Sequence, residues 1–144
     1  MAFEKSQSAG FLANHMARLF AAGLHERIRP LGLAPAQFMT LLELWSEDGL
    51  TQKQLVARLD VEQATMANTL ARMERDGLIE RRSHPSDGRS QSIHLSAKAR
   101  DLKAPATRAA QAQNRQALAG LDAQETQMLI DLMQRVIAAM KSGR

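Results

Sequence analysis

No cysteine occurs in the 144 residues. Disulfides, thiolate metal sites, cysteine nucleophiles and thiol-based redox sensing are therefore excluded, and the absence fits a reducing compartment. No apolar run approaches the roughly 18 residues of a membrane span. The opening stretch, MAFEKSQSAGF, has no basic segment leading into an apolar one, so it does not read as a secretory signal. The expectation is a soluble, cytoplasmic protein with no membrane partner. Enzyme motifs are missing too. There is no Gly-rich phosphate loop, no Gly-x-Ser-x-Gly elbow and no histidine/acid set at a motif spacing, so neither catalysis nor a cofactor is expected. The four histidines, His15, His25, His84 and His94, form no His-x-x-x-His pair, and no metal site is expected.

What is present is an ordinary globular mix, 44% hydrophobic and 24% charged, long enough for one domain with a core. Nineteen Lys and Arg against 15 Asp and Glu leave a formal charge of +4, which admits an acidic partner such as nucleic acid without requiring one. No internal repeat or low-complexity linker divides the chain.

Hydrophobic spacing predicts mostly helix. Phe11, Leu12, Met16, Leu19, Phe20, Leu24 and Ile28 recur every three or four residues, giving a long amphipathic helix over about 8–28. Pro30 and Gly32 break it. A second helix starts at Pro35, carries Phe38, Leu41, Leu42 and Trp45, and stops near Gly49. The stretch LTQKQLVARLDV gives a short third helix with Thr51 and Gln54 in a capping-box pattern and Leu55, Val56 and Leu59 facing inward. A fourth runs from about Glu62 to Asp76 and ends at Gly77. Only about three residues separate it from the third, which is a helix-turn-helix pattern.

The period then changes. Leu78–Arg82 and Gln91–Leu95 read as short strands around SHPSDGRS, whose Pro, Asp and Gly suit a hairpin loop. A hairpin directly after a helix-turn-helix is a wing. Ser96 caps the next helix, with Pro105 expected to kink it or to mark its early turns, and Gly120 ends it. Asp122 and Glu125 cap the last helix, whose stripe is Leu129, Leu132, Met133, Val136 and Met140. The expected fold is mainly α with a small β-hairpin (α+β). A winged helix-turn-helix core is flanked by long N- and C-terminal helices that can pack on each other.

On the fourth helix, advancing about 100° per residue gathers Met66, Leu70 and Met73 on one side, the expected buried face. Ala64, Asn68, Ala71 and Arg75 fall opposite, with Thr65 and Arg72 on the shoulder. Small residues allow close approach to a major groove. An Asn pairs with adenine, a Thr methyl meets the thymine methyl, and an Arg takes guanine or phosphate. Because the first half of such a helix meets the bases, Gln63, Ala64, Thr65 and Asn68 are assigned to base edges, and Arg72 and Arg75 to phosphates. Gln52 is a candidate phosphate contact. For Gln54 a capping role competes with one. Arg81 and Arg82 point to opposite faces of their strand, so one of the two faces phosphate. Sequence alone leaves open which, and Arg82 is carried as the candidate.

Taken together, GLAPAQFMTLLELW, LTQKQLVARLDV, RMERDGLIERR and DGRSQSIHLS resemble the multiple antibiotic resistance regulator (MarR) family of bacterial transcription factors. The resemblance spans essentially the whole chain and is most specific in the middle. It implies a single domain over 1–144. Residues 34–96 would be the winged helix-turn-helix DNA-binding lobe, and 8–33 with 97–144 the helices of a homodimer. It also implies double-stranded DNA as partner, at a pseudo-palindromic operator with half-sites roughly 10 base pairs apart. In the family the wing arginine enters the minor groove, steadied by an aspartate two positions earlier; these are Arg89 and Asp87. A narrow minor groove attracts a guanidinium, and a carboxylate can hold its fork. Many relatives carry Arg or Lys where this chain has Asn68, which leaves the operator sequence open.

The resemblance further implies a repressor released by a small, aromatic or phenolic anion. That ligand would sit in a cleft between the dimerisation helices and the DNA-binding lobe. His15, Arg18, His25, Met39 and Trp45 are the candidates to line it. A lone histidine on an apolar stripe is more often a satisfied core or interface residue, and Trp45 equally suits the core. A helical dimeric protein-interaction module without specific DNA binding is the alternative function. Arginines at a hairpin tip speak against it.

Overall fold

The computed structural model describes residues 2–84 and 87–143, with side chains described for 2–83 and 91–143. Six helices and three strands follow one another: α1 (Ala9–Ile28), α2 (Pro35–Ser46), β1 (Leu50–Thr51), α3 (Gln52–Leu59), α4 (Gln63–Arg75), β2 (Ile79–His84), β3 (Asp87–Leu95), α5 (Ala97–Ala117) and α6 (Ala123–Ser142). Single 3₁₀ turns precede α1 and follow it.

Helix starts are fixed locally by side chains that accept otherwise orphaned N–H groups. Ser8 Oγ accepts from the Phe11 N–H at 3.2 Å, and Ser96 Oγ from the Ala99 N–H at 3.1 Å. Thr51 and Gln54 form the reciprocal box, at 3.1 and 2.8 Å, so capping occupies Gln54. Asp122 and Glu125 do the same for α6. α2 has half of this device: Gln37 Oε1 accepts from the Ala34 N–H at 3.1 Å. At the other end of α4, Gly77 takes φ +74°, which an L side chain rarely tolerates, and turns the chain into the hairpin.

Three details differ from the sequence reading. Leu50 and Thr51 do not begin α3. They form an edge strand on β3, with Leu50 opposite Ile93 and Thr51 opposite Ser92, which makes a three-stranded sheet in the order β1-β3-β2. The hairpin strands also extend further into the loop than expected, because antiparallel pairing needs only backbone groups. Finally, Pro105 is the ninth residue of α5, and the helix continues through it.

The core lies between α2, α3, α4 and the sheet. Leu41, Leu44, Leu55, Leu70, Met73 and Ile93 are fully buried there, and Ile28 of α1 and Ala99 and Ala106 of α5 join it. α1 and α5 pack along each other. α6 contributes no buried residue. Its Met128, Val136, Ile137 and Met140 stand more than half exposed, as does Leu19 of α1. The C-terminal end of α6 returns to the helix-turn-helix, where Lys141 Nζ lies 3.2 Å from Asp60 Oδ2.

Trp45 sits edge-on to Phe38, ring centroids 6.0 Å apart, and donates its indole N–H to the Ala99 carbonyl at 3.0 Å. It ties α2 to the start of α5. Asp48 ties the same region to the sheet. Its Oδ1 accepts from the Leu95 N–H at 2.9 Å, and its Oδ2 lies 3.7 Å from Arg100 and 3.9 Å from His94 Nδ1. Replacing Asp48 with Ala leaves a part-buried N–H unpaired. A loss of about 1–3 kcal/mol is expected in urea unfolding; an unchanged midpoint would show that water takes over the bond.

Candidate nucleic-acid interface

The rotation of α4 about its axis decides what the helix can offer a partner. Met66, Leu70 and Met73 are 2%, 0% and 0% exposed, so one side of α4 is fixed against the lobe. Gln63, Ala64, Thr65, Asn68, Ala71, Arg72 and Arg75 are then exposed along the other side. This groups every α4 residue assigned to base edges or phosphates on the solvent side of one helix.

The turn before α4 is held tightly. Asp60 takes the left-handed conformation, φ +54°, and donates its N–H to the Val56 carbonyl. Aspartate tolerates that conformation better than most residues. Gln52 Nε2 then reaches the carbonyl and Oε1 of Gln63, at 3.5 and 3.4 Å. Two candidate contact residues thus bridge the first turns of α3 and α4.

The end of α4 carries a polar cluster that sequence reading did not single out. Asp76 Oδ2 accepts from Gln37 Nε2 at 3.0 Å, and Oδ1 accepts from Arg75 Nε at 3.2 Å. Its carbonyl accepts from Lys98 Nζ at 2.9 Å. Asp76 therefore links α4 to the starts of α2 and α5. The only advance signal was an acid placed directly before the terminating Gly77. Arg75 is tied to this cluster, whereas Arg72 has no ion-pair partner among the described residues.

Register separates the two strand arginines. Arg81 stands opposite Ile93, on the core-facing side, and its Nε lies 3.5 Å from Glu74 Oε1 of α4. Arg82 stands opposite Ser92 on the outer face. It is 55% exposed and paired with Glu80 of its own strand, Nε to Oε1 2.9 Å. Asp87 and Arg89 belong to β3 by backbone, but their side chains lie outside the described residues.

The residues assigned to a ligand cleft do not converge. A cavity of about 650 Å³ opens between α1, α2 and α5, and of the five candidates only Met39 lines it. His15, Arg18 and His25 are exposed on other faces of α1; His15 stands edge-on to Phe11. Trp45 is turned away by its bond to Ala99 and lines a recess of about 260 Å³ with Arg100 and Lys103. Helical spacing alone could not tell these faces apart, because their neighbours come from α2 and α5.

A helix with one face buried, a short preceding helix and a following hairpin that a short strand before them extends to three strands define a winged helix. The sequence pattern of the MarR family matches residues 33–91. A probable transcriptional regulator from Pseudomonas aeruginosa is 32% identical, with 92% of this chain and 99% of that one covered at a TM-score of 0.85. The chain belongs to the MarR family, whose members are transcriptional regulators. The fold is also shared with a putative MarR family regulator from Listeria monocytogenes complexed with 26mer DNA (22% identity, 95% and 91% covered, TM-score 0.86). It is shared as well with the PcaV regulator from Streptomyces coelicolor in complex with its natural ligand (24% identity, 97% and 99% covered, TM-score 0.83).

The Asp76 carboxyl is held below the usual aspartate range, first by the Gln37 amide and then by Arg75. A lowered folded-state pKa means the ionised form is favoured on folding. Its contribution is complete above the ordinary aspartate pKa of about 4 and is lost as pH falls through the lower folded value. Asp76→Asn should therefore lower the melting temperature at pH 7 and flatten its decline below about pH 4. Parallel melting curves for the two proteins would refute the role of Asp76.

Proposed function

We propose that the chain is a homodimeric, sequence-specific DNA-binding regulator, acting as a repressor that a small ligand releases. Residues 34–96 form its DNA-binding lobe, and 8–33 with 97–144 its dimerisation helices. The observation that carries DNA binding is the exposed row on α4, whose opposite side is locked in the core. Asn68 and Thr65 would address base edges, while Arg72 and Arg82 would take phosphates. Among the described residues Arg75 pairs with Asp76 alone, in an exposed ion pair. Such pairs contribute about 0–1 kcal/mol, so a phosphate can compete for its guanidinium. The family resemblance supports Arg89 as minor-groove probe with Asp87 as its brace. The DNA-bound Listeria relative supports the same mode of action.

Dimerisation is supported by the apolar face of α6. An exposed stripe of this length in a soluble chain calls for a partner, and a two-fold axis would let α6 and α1 of two copies cover each other. Ligand release is supported by the cavity beside α2, and by the ligand-bound PcaV structure of the same fold.

Fluorescence anisotropy with the DNA upstream of the chain's own gene tests the reading. Tight binding that falls steeply with salt is expected; equal affinity for random DNA would sink it. Arg72→Ala should weaken all sequences alike and lower the salt slope by about 1. Asn68→Ala should cost about 1–3 kcal/mol on the preferred sequence alone. Unchanged affinity on Arg89→Ala would remove the wing from the account. Val136→Asp should yield monomers in sedimentation velocity, and a persisting dimer would move the interface off α6.

A further inference from the structure

The cavity between α1, α2 and α5 has a chemistry that does not fit an anion. Its α1 wall is Phe20, Leu24 and two alanines. Its α2 wall is Phe38, Met39, Leu42 and Pro35. The polar groups all come from α5, and they are amides and one hydroxyl. Among the described residues no Lys, Arg, His, Asp or Glu lines it.

The polar groups are not equally available. The Thr107 hydroxyl donates to the Lys103 carbonyl at 2.7 Å, which leaves it only as an acceptor. Gln113 Oε1 accepts from Arg27 Nε at 3.1 Å, and the same guanidinium also donates to Gln116. Arg27 thus holds the lining amide of Gln113 from outside and is not itself among the lining residues. Gln113 further packs where a side chain on Gly23 would have to sit. The side-chain amides of Gln111 and Asn114, one turn apart on α5, have no hydrogen-bond partner among the described residues. Both line the cavity from solvent-exposed positions, where a ligand can replace water on them. Arg100 and Lys103 of α5 line the separate recess beside Trp45.

We infer that this cavity takes an uncharged, mainly apolar molecule whose carbonyl, hydroxyl or amide group is met by Gln111 and Asn114. The volume, about 650 Å³, matches a small-molecule site. An ionised carboxylate would lose hydration against these walls and meet no cation among the described lining residues. This deepens the proposed ligand response and replaces the anion expected from the sequence.

Calorimetric titration of the full chain with 2-naphthamide and 2-naphthoate, in the absence of DNA, tests it. The two probes share one skeleton and differ in charge. The amide should bind about tenfold or more tightly than the carboxylate. Ala21→Leu, which puts bulk into the cavity from an exposed helix position, should weaken the amide at least severalfold. Asn114→Ala gives a second reading should that variant fold poorly. Equal or tighter binding of 2-naphthoate, heat from neither probe, or indifference to both substitutions would overturn the inference. Because these titrations contain no DNA, their failure leaves the DNA-binding reading standing. Conversely, lost DNA specificity with intact 2-naphthamide binding would overturn only the regulator reading.

Discussion

The burial of Met66, Leu70 and Met73 fixes what the molecule can do. These three side chains set the rotation of α4, and everything α4 offers a partner follows from that rotation. Large apolar groups in a packed core cannot slide by a few tens of degrees without opening voids, so the exposed row from Gln63 to Arg75 keeps its direction. The surrounding polar contacts serve the same end. Gln52 pins the start of α4 to α3, and Asp76 pins its end to α2 and α5.

The hairpin is tied to that frame through two faces. On the inner face Ile79, Ile93 and Leu95 join the core, and Arg81 meets Glu74 of α4. At the base of the sheet, Asp48 binds β3 and approaches Arg100 of α5. A movement of α5 would therefore be felt by both the hairpin and α4, through Arg100 and Lys98. On the proposed reading, that would give a ligand beside α5 a physical route to α4 and the hairpin. The route runs through packed helices and short polar contacts, without a hinge.

Much of this was legible in the sequence because it rests on local rules. The caps at Thr51, Ser96 and Asp122 are set by residues three positions apart, and the α4 stripe by a period of 3.6. The faces of Arg81 and Arg82 became readable once strand pairing was known, because alternation separates them and only register says which is inner. What stayed hidden depends on contacts distant in sequence. The strand Leu50–Thr51 exists only because β3 lies beside it. Gln37 meets Asp76 across 39 positions, and Trp45 meets Ala99 across 54. The lining of the cavity was hidden for the same reason: helical spacing groups His15 with Leu12 and Leu19, but it does not say which face of α1 meets α2 and α5.

Amide chemical shifts of the ¹⁵N-labelled chain, followed as a DNA duplex from its own upstream region is added, test the central claim most directly. The account predicts the largest changes over 63–75, with further changes in β2 and β3 and little in the middle of α1. Shifts concentrated on α1 or α6, with α4 silent, would contradict it.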